Sequence, residues 1–210
     1  MKILAHRGLW TKPEQKNTRE AFVEALKHGF GIETDVRDYL GELVISHDIA
    51  NKGSIGFSDF LSIVKTHFRD APLAINVKAD GLQNEFIGTE INKFQHFYFD
   101  MSIPDALIYS RHSLNFYTRH SDIEPAPNLL SQSAGVWMDN FSSNTLDTAT
   151  MNKFLSIDKN IALVSPELHG YDYERYWVAL KEFILCNDKY TDKISLCTDY
   201  PQQAQEFFNE

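Results

Sequence analysis

Eight short apolar runs recur along this chain: KILAHRG, FGIETDV, PLAINVKA, HFYFDMS, LNFYTRH, GVWMDNF, NIALVSPEL and ISLCTDY. Most are separated by stretches of helical character, which rules out tight hairpins between them and predicts parallel βαβ units. Eight such strands in one chain predict an α/β fold of the (β/α)8 TIM-barrel class. At 210 residues the barrel must be compact, with some helices reduced; 104–112 and 127–134 are the weakest candidates. No low-complexity tract, linker or repeat marks a boundary, so one domain is expected over 1–210. A doubly wound open sheet would place a glycine-rich turn after its first strand, and HRGLWTKPEQKN is not one. The segment ELVISHD, just after Gly41, reads as the return arm of a small β-hairpin inserted after strand two.

The helical stretches carry their own signals. Asn17 and Glu20 predict an N-cap and capping box, with Ala21, Phe22, Ala25 and Leu26 on one face. Phe57, Phe60, Leu61, Val64 and Phe68 form a second stripe, with Ser58 as its expected cap. Tyr176, Trp177, Leu180, Phe183 and Ile184 form a third, and Pro201 opens a last helix.

Polar residues fall where the strands end, which is where a parallel barrel keeps its chemistry. Reading along the chain, these are His6 and Arg7, Glu33 and Asp35, Asn76 and Lys78, then Asp100, Arg119, Asp139, Glu167 and Asp199. Glu33 and Asp35 stand two apart on one strand and therefore share a face. Two carboxylates aimed into a semi-enclosed space repel unless neutralised, and a divalent cation with oxygen ligands neutralises them. The competing reading is an exposed acidic face on an edge strand. Asn76 and Lys78 repeat the spacing: an amide oxygen for the same cation and an ammonium for an anionic substrate, against a buried amide and a snorkelling lysine. His47 ends a second apolar run, and two histidines beside a metal site suggest a general acid and a general base. Asp48 either orients His47 or caps a turn, with the turn favoured, and Asn17 reads as a cap that also reaches the site. Arg119 is a further strand-end candidate for substrate. His28, His67 and His96 read as surface histidines beside helices.

A net charge of −9 argues against nucleic acid as a partner. No apolar run approaches the roughly 20 residues of a membrane span, and no basic amphipathic helix suggests stable membrane association. MKILAHRGLW lacks the apolar core of a secretory signal, so a cytoplasmic location is expected. Cys186 and Cys197 are expected to be reduced thiols in the core.

In order, AHRG, NT..AF..AL..G, GIETDVRD..G.LVISHD, INVK and TDYP resemble the glycerophosphodiester phosphodiesterase family of the phosphatidylinositol-phospholipase-C-like barrels. The likeness is strong over residues 3–48 and weaker at 73–78 and 198–201, and residues 100–170 carry no family motif. It implies His6 and His47 as the acid–base pair, Arg7 and Lys78 on the phosphate, and Glu33 and Asp35 as metal ligands. Two departures stand out. PEQKNT displaces Pro13 and Glu14 from their usual place before NT, and Asn76 occupies the position of a family glutamate, which should weaken metal binding. The function implied is hydrolysis of a small glycerol-type phosphodiester to a phosphomonoester and an alcohol, with one Mg²⁺ or Ca²⁺ held by Glu33, Asp35 and Asn76. The alternatives are a lyase that releases a cyclic phosphate, and an inactive barrel that binds a phosphorylated ligand.

Overall fold

A computed structural model of the chain describes residues 1–67 and 71–209. They contain the eight parallel strands the sequence predicts, and the fold is of the α/β, (β/α)8 class. The contacts divide the chain into two compact units, Leu4–Phe116 and Met1–Ile3 with Tyr117–Glu210.

The first unit holds β1 (Lys2–His6) from Leu4 onward, and β1, β2 (Gly31–Tyr39), β5 (Leu73–Val77) and β6 (His96–Phe99) run parallel in the spatial order β1-β2-β5-β6. The hairpin insertion is present: β3 (Glu42–Ile45) returns antiparallel to β2, with Val36 opposite Ile45, and pairs with the two-residue β4 (Ile55–Gly56). Helices α1 (Arg19–Lys27), α2 (Phe57–His67), α3 (Gln83–Ile87) and α4 (Ile103–Arg111) link the strands. The reduced helix is α3, with five residues. The 104–112 stretch forms a full nine-residue α4, because Ser102 accepts a hydrogen bond from the Asp105 N–H at 3.3 Å and caps it. Aromatic side chains fill the space between sheet and helices, with Phe22 edge-on to Phe60 at 4.9 Å and Phe86 tilted on Tyr98 at 4.6 Å.

In the second unit, β7 (Tyr117–His120), β8 (Gly135–Met138), β9 (Asn160–Val164) and β10 (Ile194–Thr198) are parallel in sequence order. Helices α5 (Thr148–Ser156), α6 (Glu174–Cys186) and α7 (Pro201–Asn209) follow β8, β9 and β10, while no helix forms over 127–134. Tyr176, Trp177, Leu180 and Phe183 of α6 pack with Val136, Phe154, Leu163 and Leu196, and Ile184 lies partly buried against them.

Several local expectations are corrected. The cap of α1 is Thr18, not Asn17: Thr18 has extended backbone and its hydroxyl accepts from the Ala21 N–H at 3.3 Å. Asn17 is left-handed, at φ 58°, which denies it the cap geometry. Ser58 lies inside the first turn of α2 rather than before it. Phe68 lies outside the described residues. Cys197 is buried, but Cys186 is exposed as the last residue of α6. His96 is a buried strand residue, because β6 includes it.

The turn after β1 brings helix and strand into close approach. Gly8 sits at φ +92°, and a Cβ there would lie 2.8 Å from the backbone carbon of Ala21 in α1. Gly29, at φ +80°, has nothing within 4 Å of the same position. Gly29→Ala should therefore cost only the left-handed strain of about 1–2 kcal/mol. Gly8→Ala adds a backbone clash and should lose clearly more. Urea denaturation of both variants checks this, and equal midpoints would contradict the packing described.

Candidate active site

Strand β2 supplies the centre of the site. It is not an edge strand: β1 and β5 flank it, and Gly31 through Val36 are all buried. Glu33 is 2% exposed and Asp35 has no exposure at all, so the reading of an exposed acidic face is excluded. On this face Glu33 sits beside Ala74 and Asp35 beside Asn76 in the β2–β5 register.

Asp35 is surrounded by donors. The Arg7 Nε lies 2.9 Å from Oδ2, Asn17 Nδ2 donates to the same oxygen at 2.9 Å, and Lys78 Nζ stands 3.5 Å from Oδ1. Lys78 is shared with Asp100, also at 3.5 Å. Asn17 accepts from the Thr34 hydroxyl at 2.8 Å, so its amide is fully oriented, donating to Asp35 and accepting from the next residue back. This is the work that displaces it from the cap. The loop that delivers Arg7 and Asn17 is tied by the Arg7 N–H to Glu33 O at 2.8 Å and the Asn17 N–H to Arg7 O at 2.9 Å.

Glu33 is met differently. Asn76 Nδ2 donates to Oε1 at 3.3 Å, and His6 Nε2 lies 3.9 Å from Oε2. Burial first, and then the negative charge of Asp35, push its carboxyl up to about 8. The shift favours its protonated form.

Three buried oxygens of this cluster, Glu33 Oε2, Asp35 Oδ1 and Asn76 Oδ1, accept no hydrogen bond. Buried oxygens are seldom left so. Two carboxylates and an amide form a hard donor set that fits Mg²⁺ or Ca²⁺, and a cation arriving there would take the place of the Glu33 proton. No group of three or more His, Cys, Asp or Glu suited to a metal occurs among the described residues, because the third donor here is an amide.

The structure therefore brings together His6, Arg7, Asn17, Glu33, Asp35, Asn76 and Lys78. His47 follows the last β2–β3 contact, in which the Ser46 N–H donates to Asp35 O at 3.0 Å, and its ring is largely exposed. Its Nδ1 lies 2.8 Å from Asp48 Oδ1, so Asp48 orients the imidazole and is more than a turn residue. That hydrogen bond is the main cause holding the Asp48 carboxyl below its usual range.

The strand-end residues of the second unit have partners of their own. Arg119 forms a two-point ion pair with Glu124, at 2.9 and 3.0 Å. Asp139 accepts from His169 at 2.8 Å. Glu167 accepts from Ser165, Thr198 and the Asp199 N–H, while burial pushes its carboxyl up. A cavity of about 300 Å³ in this unit is lined by His120, Asp122, Asp139, Asp147 and Tyr176. Asp122 accepts from the Phe141 N–H and Asp147 caps α5, so these carboxylates serve the loops around it. Among the described residues, no helix is long and apolar enough to cross a membrane.

The alternation of parallel strands and helices defines the class, and comparison with solved structures gives the particular likeness. No protein-family profile and no curated protein matches the chain. Its fold is similar to that of a protein of Galdieria sulphuraria described as a candidate glycerophosphodiester phosphodiesterase, with TM-score 0.76, 15% identity and coverage of 100% and 98% of the two chains. It is also similar to the glycerophosphodiester phosphodiesterase of Agrobacterium tumefaciens, with TM-score 0.72, 15% identity and coverage of 100% and 99%. A Ca²⁺-dependent phosphatidylinositol-specific phospholipase C from Streptomyces antibioticus matches with TM-score 0.58, 10% identity and coverage of 99% and 95%. At these identities the likeness is one of fold.

The position of Glu33 sets a pH dependence. Its folded value, about 8, lies above the ordinary carboxyl value of 4.5, so folding takes up a proton between the two. This contribution is fully present below about 4.5 and is lost as pH rises through about 8. Glu33→Gln, which stays neutral, should lose that dependence. Chelator-treated wild type and variant, unfolded in urea from pH 5 to 9, should diverge with the variant gaining relative stability as pH rises. Parallel curves would show that Glu33 is ionised throughout.

Proposed function

We propose that this chain is a divalent-cation-dependent phosphodiesterase that hydrolyses a small glycerol-type phosphodiester to a phosphomonoester and an alcohol. The observation that carries the reading is the set of three buried oxygens that accept no hydrogen bond, on Glu33, Asp35 and Asn76, with the cationic Arg7 and Lys78 immediately beside them. The fold shared with glycerophosphodiester phosphodiesterases supports it. Glu33, Asp35 and Asn76 would hold one Mg²⁺ or Ca²⁺; when bound, the ion supplies Lewis-acid stabilisation of the charge that develops on the phosphoryl oxygens.

The chain's own residues do the rest. Arg7 and Lys78 lend positive charge to the non-bridging oxygens. Asn17 holds Asp35 in place. His6 and His47 exchange protons: one takes the proton from an attacking water or substrate hydroxyl, a P–O bond forms and the opposite one breaks, and the other histidine protonates the departing alkoxide; where the hydroxyl attacks, water opens the resulting cyclic phosphate in a second step with the histidine roles reversed. In His47 the Nδ1 hydrogen bond to Asp48 leaves Nε2 for this exchange. Arg119 is assigned to substrate on its strand-end position alone. Residues 1–210 act as a single barrel domain, with neither nucleic acid nor a membrane as a stable partner.

A second reading, a barrel that binds a phosphorylated ligand without turning it over, is favoured by one observation. Asp35 is already neutralised by Arg7 and Lys78. The assay that separates the two is turnover of a panel of glycerophosphodiesters with Mg²⁺, Ca²⁺ or chelator. Chelator-sensitive hydrolysis is expected, with His6→Ala and His47→Ala each lowering kcat by about 100-fold or more. Turnover that survives chelator overturns the cation, and near-normal turnover in either variant overturns the histidine pair. Product that stays cyclic marks a lyase.

A further inference from the structure

We propose that Arg37 is the side chain on which the anionic oxygens of the substrate phosphodiester are seated. The proposal rests on the phosphodiesterase reading and deepens it, by naming a further binding residue on the same strand.

The placement follows from the register. Glu33 and Asp35 point to one face of β2, and side chains alternate, so Arg37 points to the same face. In the β2–β5 ladder Asp35 stands beside Asn76 and Val36 beside Val77. The Lys78 N–H donates to Val36 O at 2.8 Å, which carries the ladder one step further and sets Arg37 beside Lys78. Arg37 Nη2 indeed donates to Lys78 O at 3.2 Å. Moving outward along this face, the residues are a carboxylate, then a carboxylate beside an amide, then two cations side by side.

The cations of this cluster differ in what neutralises them. Arg7 is matched by Asp35, and Lys78 by Asp35 and Asp100. Among the described residues, no carboxylate lies within ion-pair distance of Arg37, and its only hydrogen-bond partner is the Lys78 carbonyl. Its Nε is buried and bonds to nothing. A half-buried guanidinium with an unused N–H is costly to keep unless an anion completes it. Its planar fork of five donors suits two oxygens of one phosphate. The nearby anion, Asp48, is engaged with His47 and feels Arg37 only through space. An anion seated on Arg37 would thus lie between the Lys78 side of the site and the loop that carries His47.

The test uses the full chain treated with chelator, with inorganic phosphate as the probe. Phosphate should raise the Tm of the wild type, Arg37→Gln should lose most of that rise, and Arg37→Lys should keep part of it. With the best phosphodiester and cation, Arg37→Gln should raise KM by about 10- to 100-fold, the range of a charged hydrogen bond, with a smaller change in kcat. An equal Tm rise in wild type and Arg37→Gln, no rise in either, or an unchanged KM would each overturn the assignment. If no phosphodiester is turned over at all, the functional reading fails by itself, and the phosphate-dependent Tm still decides the role of Arg37.

Discussion

A carboxylate with no exposure to water lies at the centre of this structure, and its charge must be met by its neighbours. Asp35 draws Arg7 and Asn17 to one oxygen and Lys78 to the other, from two different strand ends and a loop. A buried carboxylate without these partners would cost several kcal/mol. Its presence therefore dictates the course of the 6–18 loop, the left-handed backbone at Arg7 and Asn17, and the choice of Thr18 as helix cap. Left-handed non-glycine residues are uncommon and cost about 1–2 kcal/mol each. Arg7, Asn17 and Asp100 all adopt this conformation where they converge on Asp35 and Lys78.

The two carboxylates of β2 illustrate how environment separates identical chemistry. Asp35 is surrounded by positive charge and donors, whereas Glu33, two residues away on the same face, has an amide, a histidine at 3.9 Å and a like charge. Burial and that like charge favour the protonated form of Glu33, which removes one of two adjacent negative charges. A cation bound by the two carboxylates would compete with that proton.

Much of this was legible in the sequence, and the limits have physical reasons. The eight parallel strands, the hairpin after β2 and the convergence of His6, Arg7, Glu33, Asp35, Asn76 and Lys78 all follow from periodicity and strand-end position. Asn17 was misread as a cap because capping propensity is local, while its actual partners, Thr34 and Asp35, are 17 and 18 residues away. His96 and Cys186 were misplaced because burial at the ends of elements depends on tertiary packing. For Asp48 the sequence leaves two roles open, and the contact of its carboxylate with the adjacent ring selects the orienting one over the favoured turn. Arg37 carried a signal that went unused: it continues the two-residue spacing of Glu33 and Asp35. Only the structure reveals that this arginine, unlike Arg7 and Lys78, has no carboxylate within ion-pair distance among the described residues.

If Glu33, Asp35 and Asn76 hold the proposed cation, its binding displaces the proton that burial favours on Glu33. Titration calorimetry of the chelator-treated chain with Mg²⁺ and with Ca²⁺ tests it most directly, run at pH 7 in two buffers of different ionisation enthalpy. The account predicts one cation bound per chain, release of about one proton on binding, and loss of both in Asp35→Asn. Binding without proton release, or no saturable binding of either ion, would contradict it.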